Sequence, residues 1–293
     1  MKHLKKEKLI IFIVLAVIVF LISVGSGLAL NGYFGGGGTI LGDTTTRGLV
    51  GYLNFDEGTG QTANDSSDSN NDGTLGASTA VASDDPTWTS GKAGNGGALD
   101  LDGSDDYVSL GDTDTWTFSG AFSISLWVKP DTLPGASGRS FVAKYQTGGL
   151  EYTFGIASDG NLVAIVFDDT LGGYRGRDAS VHGIGTTNWH HAVWTYDGSG
   201  TNGGTKLYVD GFQVDNADDG AGSFTSIRNT ATTLRIGDDE AGLGGDSSFD
   251  GKVDESRIYS RALSAAEVRY LYNHGGPVAH YKMDEGSGST AYD

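Results

Sequence analysis

The chain has 293 residues, 48 glycines, 4 prolines, no cysteine and a formal net charge of −18 at pH 7. An acidic surface repels phosphate backbones, which excludes nucleic acid as an expected partner, and the lack of cysteine excludes disulfides and Cys-ligated metals. Many glycines with few prolines, together with 10% aromatic residues, predict an all-β protein with tight turns and an aromatic core.

The N-terminus combines a basic segment, residues 1–8, with an apolar run over residues 9–30. A helix of about 22 residues extends about 33 Å, enough to cross the hydrocarbon core of a bilayer. Lysines before the run are expected to stay cytoplasmic. We therefore interpret residues 1–30 as a signal anchor of a single-pass cell-membrane protein with an extracellular C-terminal part, or as a signal peptide of a secreted protein, cleaved near Ala29.

Residues 31–47 are rich in glycine and threonine and are predicted to be a flexible linker. A series of short strands follows. Residues 122–129 alternate between apolar and polar side chains, and residues 206–214 read as a hairpin with an Asp-Gly turn. Residues 189–196 are apolar on both faces, as expected of a central strand. The pattern predicts an antiparallel β-sandwich.

One short helix is predicted near the end of this region. Ser264 and Glu267 have the spacing of a capping box, and Val268, Leu271 and Tyr272 then lie on one helical stripe. Residues 273–275 are Asn-His-Gly, which favours a stop. The helix is therefore expected to end the domain.

The start of the domain recurs at the end of the chain. Residues 276–293 repeat residues 48–65 at an offset of 228 (276 − 48 = 228). In each copy one strand face carries a small residue followed by two large ones: Gly51, Leu53 and Phe55, or Ala279, Tyr281 and Met283. We predict one complete domain over residues 48–275 and the truncated start of a second copy over residues 276–293.

Nine short motifs follow one another in this region: FDEG (55–58), DSS (65–67), LDGSDDYV (101–108), SLWVKP (125–130), WHH (189–191), TYDG (195–198), LYVDG (207–211), LRIG (234–237) and FDGKVDESRIYSRALS (249–264). In this order they resemble the laminin-G-like jelly-roll family of the concanavalin A-like lectin/glucanase superfamily. The resemblance implies a two-sheet antiparallel jelly roll whose first and last strands are neighbours. It also implies a recognition or adhesion module that often holds calcium.

The sequence offers no catalytic constellation. Related glucanases carry paired carboxylates on one strand face, whereas Asp254 and Glu255 are consecutive and are expected to point to opposite faces. No Gly-x-Ser-x-Gly elbow is present. His190 and His191 are also consecutive, so they are not expected to chelate one ion. We predict no catalytic residues.

A candidate ligand-binding segment contains Tyr174, Arg175 and Arg177. An exposed aromatic ring can stack on a sugar, and guanidinium groups can bind its hydroxyls or a carboxylate. The alternative is a solvated segment whose arginines pair with nearby aspartates. The sequence alone leaves both interpretations open.

A calcium site is the second candidate. Asp68, Asn70, Asp72 and Gly73 match the first half of a calcium loop, although position twelve is Thr79 rather than the Glu of an EF-hand. In the topology implied by the resemblance, this loop approaches the strand that carries Asp254. The expected oxygen ligands of a structural Ca²⁺ are Asp65, Asn71 and Asp254, with Asp56, Asp68, Asn70 and Asp72 in reserve. The alternative is a polar turn without an ion.

These features lead to three functional hypotheses. The first is an exported binding or adhesion module for glycans or other surface polymers, tethered to the membrane through residues 9–30 and lacking catalysis. The second is a structural stalk or envelope protein made of tandem jelly rolls. The third is a glycan-cleaving enzyme whose catalytic part lies outside this chain.

Overall fold

A computed structural model describes residues 45–92, 96–135, 138–157, 160–179, 183–240 and 247–273. The predicted anchor, most of the linker and the predicted second copy lie outside the described residues. Within those ranges, no helix combines the length and apolarity needed to cross a membrane.

The described chain forms 17 strands and one α-helix, apart from short 3₁₀ turns. The strands are β1 (Leu49–Leu53), β2 (Thr62–Ala63), β3 (Gly73–Leu75), β4 (Thr87–Ser90), β5 (Gly97–Asp102), β6 (Val108–Ser109), β7 (Phe122–Pro130), β8 (Arg139–Gln146), β9 (Gly149–Ile156), β10 (Leu162–Asp168), β11 (Gly173–Asp178), β12 (His190–Tyr196), β13 (Thr205–Val209), β14 (Phe212–Gln213), β15 (Ala217–Ala221), β16 (Arg235–Ile236) and β17 (Asp250–Tyr259). Helix α1 covers Ala265–Tyr272.

The strands form two antiparallel sheets. The first sheet has the order β14-β13-β12-β7-β17-β5-β4, with β1 also paired to β17, and the second has the order β15-β11-β10-β9-β8-β16-β6-β3-β2. Leu53 pairs with Ser256, so the first and last strands are neighbours. The predicted two-sheet antiparallel sandwich is therefore confirmed, and β12 lies between β7 and β13 as expected of a central strand.

The core lies between the sheets and is filled by alternate side chains of each strand. In β10, Leu162, Ala164 and Val166 are buried, whereas the residues between them are partly exposed. Aromatic rings fill the centre, where the rings of Phe122 and Trp194 pack edge to face with centroids 4.7 Å apart. Truncation of such a buried aromatic residue to alanine typically costs about 3–5 kcal/mol.

Two local predictions are confirmed by the backbone. Asp210 and Gly211 join β13 to β14 with φ angles of 51° and 81°, as a two-residue hairpin turn with two left-handed positions requires. At the start of α1, the Ser264 side chain accepts from the Glu267 backbone and the Glu267 side chain accepts from the Ser264 backbone, which completes the capping box. Val268 and Leu271 then pack on the outer side of the first sheet.

Candidate functional site

The outer face of the second sheet, which points away from the first sheet, carries three aromatic side chains in series. The ring of Phe167 on β10 lies 5.1 Å from that of Tyr145 on β8 and 6.0 Å from that of Tyr174 on β11, measured between centroids. All three side chains are half-buried. We call Tyr145, Phe167 and Tyr174 the aromatic row.

Strand register assembles this row. Phe167 and Tyr174 are direct partners across β10 and β11, and side chains of directly opposed residues lie on the same sheet face. Val163 and Ile165 occupy the other outward positions of β10 and are also half-buried. The outward positions of β10 therefore extend the aromatic row along this strand into an apolar patch.

A carboxylate lies beside one end of the row. Burial raises the pKa of Tyr145, and the negative charge of Asp239 raises it further. Asp239 is itself fixed, because its two carboxylate oxygens accept from the hydroxyls of Ser140 at 3.1 Å and Ser247 at 3.0 Å. Asp239 is only 3% exposed, so the surface that the outer face offers to a ligand is that of the aromatic row and its apolar neighbours.

The structure separates Tyr174 from the two arginines that follow it. Arg175 and Arg177 are the β11 partners of Val166 and Ala164, which are core residues. Their side chains therefore lie on the face of β11 opposite to that of Tyr174. Alternation along a strand is the physical reason. The sequence-predicted residues Tyr174, Arg175 and Arg177 therefore do not form one cluster.

The guanidinium groups of Arg175 and Arg177 are both bound to other groups of the protein. Arg175 donates to the carbonyls of Ala221 at 3.0 Å and Gly222 at 3.2 Å. Arg177 pairs with Asp218 and lies 3.4 Å from Asp215. These bonds fasten the edge strand β15 and its neighbouring segment. Arg177 pairs with aspartates, as in the alternative that the sequence left open, whereas Arg175 bonds to backbone carbonyls.

The predicted calcium loop is held by its own hydrogen bonds. The carboxylate of Asp65 accepts four bonds, each of 2.8 Å, from the backbone amides of Tyr52, Ser67 and Asn71 and from the Ser67 hydroxyl. Asp72 accepts from the Asp65 amide at 2.8 Å. These carboxylates order the loop through hydrogen bonds from its own backbone.

The amide side chain of Asn71 also serves the fold, since it donates to the carbonyl of Val50 at 2.7 Å. Asp68 and Asn70 are exposed, and Asn70 takes a left-handed conformation with a φ of 53°. The loop residues thus form one group that is anchored against β1.

Asp254 and Asp56 form a second group, on either side of the turn between β4 and β5. Asp254 is fully buried, and its Oδ2 accepts from the Lys92 amide at 3.0 Å. Its Oδ1 accepts no bond from any described residue. Asp56 accepts from the Gly97 amide at 2.7 Å and from Asn54 at 3.0 Å.

Burial, together with the charges of Glu255 and Asp56, raises the pKa of Asp254 to about 7 against the opposing Lys92 bond. A buried carboxylate with one free oxygen beside a second carboxylate is suited to a hard cation. The seven predicted ligands are therefore divided between the Asp65–Asp72 loop and the Asp56–Asp254 pair.

The histidines and the consecutive carboxylates take separate partners. His190 Nδ1 lies 2.9 Å from the Asp210 carboxylate, and His191 Nε2 lies 2.9 Å from the Ser125 hydroxyl in a buried pair. Glu255 binds the side chains of Tyr52 and Arg257, whereas Asp254 accepts from the Lys92 amide.

Comparison with known proteins identifies the fold. A laminin G family model, described as the concanavalin A-like lectin/glucanases superfamily, matches residues 102–269. No curated protein sequence matches the chain.

Several solved structures share the fold. Domain 4 of AbnA, a GH43 extracellular arabinanase from Geobacillus stearothermophilus solved in complex with arabinotriose, is 24% identical with a TM-score of 0.55 over 76% of this chain and 98% of that one. The binding domain of Paraclostridial Mosquitocidal Protein 1 is 18% identical with a TM-score of 0.56 over 78% of this chain.

Botulinum neurotoxin type C, whose cell entry depends on interaction with two ganglioside molecules, is 15% identical with a TM-score of 0.56 over 79% of this chain. The chain spans about half of each toxin structure, 52% in both cases. At these identities the likeness establishes the jelly-roll fold alone.

Proposed function

Because the chain belongs to the laminin G group of the concanavalin A-like lectin/glucanases superfamily, we propose that it is a non-catalytic glycan-binding module. The aromatic row on the outer face of the second sheet carries this proposal. Sugar rings present apolar C–H faces that pack on aromatic surfaces, while their hydroxyls need directed acceptors and donors. Tyr145, Phe167 and Tyr174 provide the surface, and the two tyrosine hydroxyls provide polar groups.

The fold neighbours support this choice of ligand class. Domain 4 of the arabinanase was solved with a bound arabinotriose. The chain covers 98% of that domain's length, so the comparison concerns a complete domain of the same size. An arabinose-containing oligosaccharide is therefore a suitable first probe for the aromatic row.

The proposal assigns binding without cleavage. Glycoside hydrolysis needs two carboxyl groups that flank one bond, and the consecutive Asp254 and Glu255 are bound to different partners, the Lys92 amide and the Tyr52 hydroxyl. Among the described residues, the buried pair of Ser125 and His191 has no surface access for a substrate, because both side chains are at most 1% exposed. We extend the proposal to an extracellular location, with residues 9–30 as the tether or the secretion signal.

We also propose a structural Ca²⁺ at Asp56 and Asp254. The free Oδ1 of the buried Asp254 carboxylate supports this assignment, as does the proximity of the Asp56 charge. A divalent cation relieves the repulsion between two carboxylates, and backbone carbonyls and water can complete its six to eight ligands. Asp65, Asn71 and Asp72 hold their own loop together and are not assigned as ligands of this ion, and Asp68 and Asn70 are exposed.

A glycan array tests the ligand class. The full chain in mild detergent, labelled and applied to an array that includes arabinotriose, should bind a limited group of oligosaccharides above background. The same chain should release no reducing sugar from them. Absence of binding to every glycan, or cleavage of any of them, contradicts the proposed function.

A further inference from the structure

The cationic side chains around the aromatic row limit the kind of glycan that can bind there. An anionic sugar needs a cation that is available to pair with its carboxylate or sulfate group. The described strands of the second sheet carry five such side chains: Arg139, Lys144, Arg175, Arg177 and Arg235.

Arg235 is the member of this set that lies on the same face as the row. It points outward, because the next residue of β16, Ile236, is part of the core. Its guanidinium lies 3.0 Å from Asp238 and 2.7 Å from Glu240, and 4.0 Å from the centre of the Tyr107 ring. The protein has therefore already neutralised this cation.

The other four cations are also engaged. Lys144 is fully buried against Glu151, and Arg139 lies 3.4 Å from Asp250. Arg175 and Arg177 are bound at the edge strand β15, as described above. An anionic sugar could thus reach a cation of these strands only by breaking an ion pair or a hydrogen bond of the protein.

Asp219 adds a negative charge to the face that carries the row. It lies on β15 opposite Gly176 of β11, which in turn lies opposite Ile165 of β10. Directly opposed residues share one sheet face, and Ile165 is one of the outward residues of β10. Asp218, the next residue towards the N-terminus, lies on the other face.

The carboxylate of Asp219 is available to a ligand. The residue is partly exposed, and within the described ranges its carboxylate accepts no hydrogen bond and pairs with no cation. Tyr174 lies opposite Ala221, which makes Asp219 its diagonal neighbour across the two strands, at about 7–8 Å. Gly176 has no side chain that could stand between them. A substituent on a sugar ring stacked on Tyr174 therefore comes within reach of the charge of Asp219.

Resting on the proposed function, we propose that the aromatic row binds aminated sugars most tightly, neutral sugars less tightly and anionic sugars least, and that Asp219 sets this order. A protonated amino group is attracted by the Asp219 carboxylate. A uronic, sialylated or sulfated sugar is repelled by it and meets no available cation. The net charge of −18 acts in the same direction at longer range.

Equilibrium binding of three trisaccharides with the same linkage tests this order: cellotriose, the glucosamine trimer and the glucuronic acid trimer. At about pH 6 and low salt, amines are protonated and carboxyl groups are ionised. The full chain should bind the glucosamine trimer most tightly and the glucuronic acid trimer most weakly. Unit charges about 6 Å apart in water change an affinity about threefold, so Asp219→Asn should lower the affinity ratio of the two charged trimers at least about threefold. Its affinity for cellotriose should change less than about twofold.

Asp68→Asn is the matched control. It removes the same charge from an exposed loop between β2 and β3, at the opposite end of the second sheet from β15, and should change the ratio less than about twofold. Because Asp219 accepts no bond from the described residues, Asp219→Asn should melt like wild type.

Tighter binding of the glucuronic acid trimer than of the glucosamine trimer overturns the preference but leaves glycan binding intact. So does a glycan array on which sialylated or sulfated members are bound. An unchanged ratio in Asp219→Asn, or an equal fall in Asp68→Asn, overturns the role of Asp219. If none of the three trimers binds, the preference is overturned, and the array shows whether the proposed glycan binding fails with it.

Discussion

The hydroxyl of Tyr52 donates to the carboxylate of Glu255 at 2.9 Å, although the two residues are 203 positions apart. Arg257 completes the contact, because its guanidinium pairs with Glu255 and lies 4.0 Å from the centre of the Tyr52 ring. β1 and β17 are therefore joined by side chains as well as by their backbone ladder. With no cysteine in the chain, this cluster ties the two ends of the domain without a disulfide.

Removing that hydroxyl should weaken the domain. Tyr52→Phe leaves the ring under Arg257 but deprives Glu255 of a donor, and hydrogen bonds to charged groups are worth about 1.5–3 kcal/mol. We expect the free energy of unfolding in urea to fall by about 1–2 kcal/mol. Tyr270→Phe, on the exposed side of α1, should change it by less than about 0.5 kcal/mol. Equal effects of the two substitutions would contradict the role of the Tyr52–Glu255 bond.

Glu267 should make stability depend on pH in the acidic range. Burial opposes its ionisation, but bonds from Arg261 and from the amide and hydroxyl of Ser264 lower its pKa to about 2. The unfolded value is about 4.3, so the folded state binds fewer protons between the two values. The resulting stabilisation is complete above about pH 5 and is lost as the pH falls towards 2.

Glu267→Gln should therefore cost about 1–3 kcal/mol at pH 7. The difference between variant and wild type, measured by urea unfolding, should stay constant down to about pH 5 and then shrink as the pH is lowered towards about 2. Glu240→Gln, which removes a more exposed partner of Arg235, should cost less than about 1 kcal/mol. A Glu267→Gln cost that is independent of pH would show that the carboxylate charge contributes nothing.

Lys144 and Glu151 form a fully buried ion pair, and Lys144 also lies 3.1 Å from Asp112. Breaking such a pair leaves a buried charge and typically costs about 3–5 kcal/mol, whereas replacing both partners by apolar residues is often neutral. We expect Lys144→Met to lose about 3–5 kcal/mol and Lys144→Met/Glu151→Leu to recover most of it. If the loss in the double variant equals the sum of the losses in Lys144→Met and Glu151→Leu, the two residues have no coupling energy.

The proposed Asp56–Asp254 calcium site predicts a melting shift. Calcium should raise the melting temperature of the full chain. A ligand at a hundredfold excess over its Kd stabilises the folded state by about 2.7 kcal/mol. Adding Asp254→Asn should remove this rise, and adding Asp219→Asn on β15 should preserve it. Identical melting of the wild-type chain in EDTA and in millimolar calcium contradicts the site.

The sequence predicted the features that depend on local patterns. Strand alternation, the Asp210–Gly211 turn and the capping box of Ser264 and Glu267 each involve residues close together in the chain. The pairing of β1 with β17 also followed, but from resemblance to a family. The alternation of Leu162–Asp168 places Phe167 on the outward face of its strand. An aromatic residue there needs a partner or a ligand, so the sequence already indicated Phe167 as a candidate binding residue.

Features that depend on register across the sheet were not predictable in the same way. Tyr145 joins Phe167 only because β8, β9 and β10 align in one particular register. Arg175 and Arg177 appeared next to Tyr174 in the sequence, but strand alternation sends them to the other face. The carboxylate of Asp65 had the composition of a metal ligand, yet three backbone amides and one hydroxyl occupy it.

The central claim is that the aromatic row binds a sugar, and equilibrium binding to arabinotriose, or to the strongest array ligand, tests it most directly. Tyr174→Ala should weaken binding about tenfold, equivalent to about 1.4 kcal/mol, without changing the melting temperature by more than a few degrees. Tyr270→Ala on α1 is the matched control, because it removes an exposed tyrosine away from the row, and it should bind like wild type. Unchanged affinity in Tyr174→Ala, or equal loss in both variants, would contradict the account.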